Sequence, residues 1–162
     1  MKGFTLIEII TVIVLVGITI IGLSSFMTQL LDTYRFIDIR NDIAYQAKKT
    51  LDWMASDIKK IKDEFSISVA DSDRLTFTDS DDNTIEFALV GDVINRNGYP
   101  LCEDVETLEF TYFNERNQVL GPLPLNSAKR RQIRKIRINL TLERAGQQID
   151  FFTVVCPRNL YE

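Results

Sequence analysis

The chain has 162 residues, Lys+Arg 19 against Asp+Glu 23 for a formal net charge of −4, two cysteines and no histidine. That length allows one small domain, and the acidic balance argues against a protein built mainly to hold nucleic acid. The missing histidine removes the commonest general base and the commonest zinc ligand, so a catalytic role is not expected and neither is a cofactor.

The first predicted element is a membrane span. From Phe4 to Met27 the only charged residue is Glu8, and an apolar run of that length exceeds the roughly 18 residues that mark a transmembrane helix. Lys2 and the amino terminus place positive charge ahead of it, so that end is expected to stay in the cytoplasm and the rest to be exported. A carboxylate in such a segment costs up to about 2.5–3.5 kcal/mol at the bilayer centre and less toward its edge, so Glu8 calls for a compensating partner.

Beyond the span, Leu30, Ile37, Ala44, Leu51, Ile58 and Phe65 recur every seven positions, and Ala47, Met54 and Ile61 form a second row beside them. No glycine or proline falls between Leu23 and Val90. The helix is therefore expected to continue as an amphipathic half over 28–64, with Lys48, Lys49, Asp52, Asp57, Lys59 and Lys60 on its wet faces, giving about 90 Å of helix in all.

From Phe65 the period changes to two. FSISVA, RLTFT, TIEFALV, VETLEFTYF, IRKIRINLTLE and IDFFTVV read as strands, with Asn97-Gly98 and Ala145-Gly146 among the connections between them. A β-rich domain over 65–162, laid on the apolar stripe of the helix, gives an α+β fold with a small antiparallel sheet. Cys102 and Cys156 both lie on the exported side, where two cysteines usually pair; a bridge would close a loop of about 54 residues and contribute on the order of 4 kcal/mol.

Two stretches then carry a resemblance. In KGFTLIE, Gly3, Phe4 and Glu8 follow a short basic leader and open a long apolar run, and this resembles the class III leader of type IV pilins and pseudopilins. The resemblance implies a leader of residues 1–3, cut between Gly3 and Phe4 by the prepilin peptidase, a membrane aspartyl protease. It also implies N-methylation of the new terminal Phe4, and a docking role for Glu8. On a helix Glu8 lies one turn from Phe4, within reach of an amine on an adjacent subunit.

Downstream, Ile94 to Arg96 followed by Val105, Leu108, Phe110 and Tyr112 is similar to W-type minor pilins and to the J-type minor pseudopilins of type II secretion. This implies a pilin-like fold and a minor subunit of a type IV pilus or secretion pseudopilus, acting in a tip complex that primes assembly. A transmembrane half (4–27) with Gly17 and Gly22 but no proline departs from the usual major subunit. The implied partners are other major and minor subunits, the peptidase, the inner-membrane assembly platform and the membrane itself. The implied location is the bacterial inner membrane with the C-terminal domain periplasmic, then the filament. A major filament subunit, a DNA-binding pilin and a membrane-anchored periplasmic binding domain remain as alternatives.

Two charged stretches have competing readings. The turn DSDDNT, Asp79 to Thr84, places oxygens at alternate positions as a calcium loop does, but Thr84 stands where the glycine belongs and Val90 where the bidentate glutamate belongs, so a hairpin turn is expected. The run AKRRQIRKIR offers Lys129, Arg130, Arg131, Arg134, Lys135 and Arg137 as a basic patch for DNA phosphates. Without interleaved aromatic residues to stack bases, the solvated face of a strand is the expected reading.

Overall fold

The structure is a computed structural model that describes residue 3 and residues 5–160, the side chain of Ser25 apart. Helix α1 runs Leu6–Ile58 without interruption, and the chain divides into two compact units, 1–40 and 41–162.

In the first unit the helix is apolar and unburied: Leu6, Ile13, Ile21, Phe26 and Tyr34 are all exposed, as are the residues between them that the structure describes. It is long and apolar enough to cross a membrane. Its hydroxyls suit such surroundings. Thr11, Thr19, Ser24 and Thr33 each donate to the carbonyl four residues earlier, at 2.8, 2.7, 2.9 and 2.8 Å, so none depends on water for a partner.

In the second unit the same helix buries one face. Ile43, Ala47, Thr50, Leu51, Met54 and Ile58 are all at most 7% exposed, a helical repeat of three and four that includes Ala47, Leu51, Met54 and Ile58 of the expected rows, whereas Leu30, Ile37 and Phe65 of the seven-residue row are exposed. The helix ends at Ile58 rather than at the expected Glu64. Lys59 and Lys60 form a turn, and Ile61, fully buried, pairs with Asp79 as an isolated β-bridge. Backbone bonds from Lys62 to Thr78 and from Ser80 to Lys60 fix that crossover. A seven-residue spacing suits a helix, but at Ile61 the sheet edge offers hydrogen bonds that one more turn of helix would forgo.

Among the described residues, eight strands form two antiparallel meanders. β1 (Ile67–Ala70), β2 (Arg74–Thr78), β3 (Thr84–Val90), β4 (Val93–Arg96) and β5 (Tyr99–Cys102) make a five-stranded sheet in chain order. β6 (Val105–Phe113), β7 (Lys135–Arg144) and β8 (Gln147–Val155) make a three-stranded sheet, and a four-residue helix α2 (Ser127–Arg130) precedes β7. The fold is α+β, as expected, with two sheets in place of one. All six strands read from the two-residue period are present. β4 and β5 lie outside those six runs: VINR is flanked by Gly91 and Gly98, and β5 contains Pro100, which lowers its strand signal.

Turn chemistry explains the registers. Arg96 pairs with Tyr99 across Asn97 (φ 52°) and Gly98 (φ 80°), and Arg144 pairs with Gln147 across Ala145 (φ 53°) and Gly146 (φ 74°). Both are two-residue turns with left-handed backbone at both positions, the type I′ geometry that matches strand twist. Alternation then sends Ile136, Ile138, Leu140 and Leu142 of β7, and Leu108, Phe110 and Tyr112 of β6, into a shared core where each is at most 4% exposed. Phe77 and Phe87, both fully buried, meet with ring centroids 6.4 Å apart in the other sheet.

Two carboxylates hold turns by hydrogen bonding. The hydroxyl of Ser66 donates to Asp63 at 2.6 Å and holds that carboxyl below its ordinary value, helped by the Phe65 amide. Burial opposes ionisation of Asp79, but the amides of Asn83 and Asp81 and the Asn83 side chain outweigh it, and this carboxyl is lowered too. A depressed folded value contributes stability above the unfolded value of about 3.9 that is lost as pH falls through the folded one. With no histidine in the chain, the urea midpoint of the full chain in detergent is expected to stay level from about pH 5 to 8 and to fall below about pH 4. A drop between pH 8 and 6 would contradict this.

Candidate functional site

At the amino end, Gly3 is exposed and an added Cβ there would meet nothing within 4 Å. Phe4 lies outside the described residues, and with it the Gly3–Phe4 bond and the methylation site. The carbonyl of Thr5 accepts the amides of Glu8 at 3.1 Å and Ile9 at 3.3 Å, which sets Glu8 in the first turn of α1. A carboxylate there is favoured by the helix dipole, by about 0.3–1 kcal/mol. The Glu8 side chain is exposed, and among the described residues none donates a hydrogen bond or ion pair to it.

The Cys102–Cys156 bridge is not formed; both cysteines are free. Cys102 closes β5, three residues before Val105 opens β6, and its thiol donates to the Glu103 carbonyl. Cys156 follows Val155, which pairs with Ile136, which in turn pairs with Tyr112 near the far end of β6. The register therefore places the cysteines at opposite ends of the three-stranded sheet, roughly 25 Å apart at about 3.3 Å per residue, whereas bridged Cα atoms lie within about 7 Å. Burial also pushes the Cys102 thiol up, while Cys156 is exposed. Ellman's reagent is expected to titrate Cys156 quickly in the folded protein and Cys102 only after unfolding. Two thiols missing in both states would instead reveal a bridge.

The basic run is dispersed by the fold. Asn126 caps α2 through the Lys129 amide, and the Lys129 ammonium donates to the Gly121 carbonyl. Arg130 is tied to the carbonyls of Ile67 and Leu125, both at 2.9 Å. Arg131 lies over the Phe65 ring at 4.6 Å, Arg137 over Phe113 at 5.4 Å, and Arg134 pairs with Glu64 at 3.4 Å. Lys135 donates to Asn117. Arg131 and Arg134 do share the wall of a cleft of about 510 Å³, with Arg116, Glu64 and Glu115. That mixed wall offers an anion no single-signed surface.

The acidic turn closes on itself. Asp79 is 5% exposed and accepts the Asp81 amide at 2.9 Å and the Asn83 amide at 2.8 Å. This is the expected hairpin turn, and its one buried carboxylate faces its own backbone. Among the described residues, no three His, Cys, Asp or Glu side chains converge on a point.

The downstream residues that carry the minor-subunit resemblance are packing residues. Ile94, Val105, Leu108, Phe110 and Tyr112 are 0%, 2%, 4%, 1% and 0% exposed. The Tyr112 hydroxyl donates to the Asp71 carbonyl at 2.8 Å, and burial pushes the phenol far up. Arg96, beside Ile94, pairs with Asp57 of α1 at 2.8 Å. Sequence reading missed this tie and a second one in which Arg144 engages Asp104 at 2.6 Å, Asp42 and Gln46. The partners stand 39, 40, 102 and 98 residues apart in the chain, a separation at which no local pattern signals a pair. No family model matches the chain, and no curated protein matches it.

Proposed function

We propose that the chain is a minor type IV pilin or pseudopilin: a non-enzymatic structural subunit stored in the inner membrane and assembled into a filament as part of a tip complex. The observation that carries the reading is Glu8. It is the one charge in the apolar and unburied stretch 5–27, it stands in the first turn of α1, and its own chain supplies no partner among the described residues. A charge left unpaired in an apolar setting is costly unless another molecule pairs with it, and the amine freed by cleavage before Phe4 on a neighbouring subunit has the charge and the position to do so.

The remaining features support the same reading. An exposed apolar helix that continues into a helix buried on an antiparallel domain suits a subunit that packs its helix among others and turns its domain outward. The positive charge at Lys2 favours a cytoplasmic amino end and a periplasmic domain. The test is the mass of the mature amino-terminal peptide from cells that express a prepilin peptidase. Loss of Met1 to Gly3 with a methylated Phe4 is expected. A mature protein that keeps Lys2 would overturn the proposal and leave a simple membrane anchor.

A further inference from the structure

The two sheets have four edges, and three of them are guarded. On β1 the carbonyls of Ala70 and Ile67 are taken by the Leu125 amide at 2.8 Å and by Arg130, and the strand carries a bulge. β5 is four residues long and contains Pro100. β6 gives its Phe110 amide to Ser72 at 2.7 Å, its Val105 amide to Asp92 at 2.9 Å and its Tyr112 carbonyl to Leu120 at 2.8 Å. These are the usual devices that stop a strand from recruiting another chain.

β8 has none of them. It runs nine residues, QQIDFFTVV, with no lysine, proline or bulge, and keeps unbroken register with β7 from Gln147 to Val155. The two-residue turn at Ala145-Gly146 makes Arg144 and Gln147 a hydrogen-bonded pair, so the odd-numbered residues of β8 bond to β7 and the even-numbered ones point outward. Among the described residues, nothing bonds the backbone of Gln148, Asp150, Phe152 or Val154 on that side. Phe152 and Val154 are also 72% and 45% exposed.

We infer that β8 is a pairing edge whose occupant is β8 of a second copy of this chain, antiparallel and centred on Phe151. That register sets Gln148 against Val154 and Asp150 against Phe152, which satisfies all eight outward groups at once. It places the half-buried Phe151 opposite its own copy at the dyad, where cross-strand side chains come closest, and brings the two Phe152 rings within diagonal reach. The only charged residue of the strand, Asp150, stands directly opposite Phe152 rather than a like charge, and the two Asp150 carboxylates lie on the other diagonal. The contact is two-fold and closed, unlike the head-to-tail contact that propagates a filament, so it stands independently of the filament reading.

The test uses the full chain in detergent micelles, with Cys156→Ser as the background. Phe151→Cys is expected to form a disulfide-linked dimer on mild oxidation, because the two thiols face each other at the dyad. In the protein without these changes, Cys156, five residues from the dyad on each strand, is expected to give at least tenfold less linked dimer. Adding Phe152→Glu, at an exposed position that leaves the core untouched, sets a carboxylate directly opposite Asp150 of the other copy and should reduce the Phe151→Cys dimer by at least tenfold. Equal linking at positions 151 and 156 would assign association to the apolar helix and overturn the pairing. So would a Phe151→Cys protein that keeps its folded circular dichroism yet stays monomeric, or a dimer yield indifferent to Phe152→Glu.

Discussion

Replacing Glu8 by alanine is expected to leave the subunit in the membrane at its normal level and to remove it from filaments. The two halves of that result have opposite physical origins. Removing a carboxylate from an apolar helix lowers the cost of insertion, since an ionised side chain costs up to about 2.5–3.5 kcal/mol at the bilayer centre. Membrane retention therefore cannot suffer from the change.

Under the proposed function assembly should suffer, because the loss would strand the positive amine of a neighbouring subunit in apolar surroundings. Breaking a buried ion pair by deleting one partner costs about 3–5 kcal/mol. At about 1.4 kcal/mol per decade that is a fall of roughly 100-fold or more in incorporation. Glu8→Gln keeps the shape and loses the charge, so it should fail like alanine, while Glu8→Asp keeps the charge on a shorter stem and should fall between. Immunoblots of sheared filaments against whole membranes read all three. Normal incorporation of Glu8→Ala would refute the docking role, and normal incorporation of Glu8→Gln alone would reduce it to a hydrogen bond.

Features set by local periodicity were legible in the chain, and features set by long-range pairing were not. The row Ala47, Leu51, Met54 and Ile58 was readable because a helical face repeats every three or four residues, and the row emerges buried. Asn97-Gly98 and Ala145-Gly146 were readable as connections because glycine accepts the left-handed backbone found there. The last two strands of the five-stranded sheet were hidden: nothing in VINR or YPLC distinguishes a strand from a loop, and only the register of Asn95 with Pro100 makes them a pair. The cysteine pairing failed for a related reason. Compartment and count said two cysteines should meet, but the meander of β6, β7 and β8 decides where each stands, and it separates them by the length of a strand. At the candidate site the sequence marked Glu8 and its spacing from Phe4. The ties of Arg96 and Arg144 to α1 depend on tertiary placement and left no mark.

The one continuous helix makes a last prediction that separates its two uses. Ile37 belongs to the seven-residue row and Met54 to the second row beside it, yet Ile37 is 51% exposed and Met54 is 0% exposed. Truncating Met54 to alanine removes buried methylene and sulfur contacts and leaves a cavity that the surrounding sheet residues fill only in part. Such changes cost about 2–5 kcal/mol, a large share of the roughly 5–15 kcal/mol that holds a domain of this size together. Ile37→Ala empties no core and should change stability by less than about 0.5 kcal/mol. Urea unfolding of the full chain in detergent can be followed by the single tryptophan, Trp53, which neighbours Met54 and is half-exposed. A midpoint sharply lowered by Met54→Ala and unmoved by Ile37→Ala is expected. Equal effects would mean that the apolar rows along α1 are one continuous core and that the division near residue 40 has no energetic counterpart.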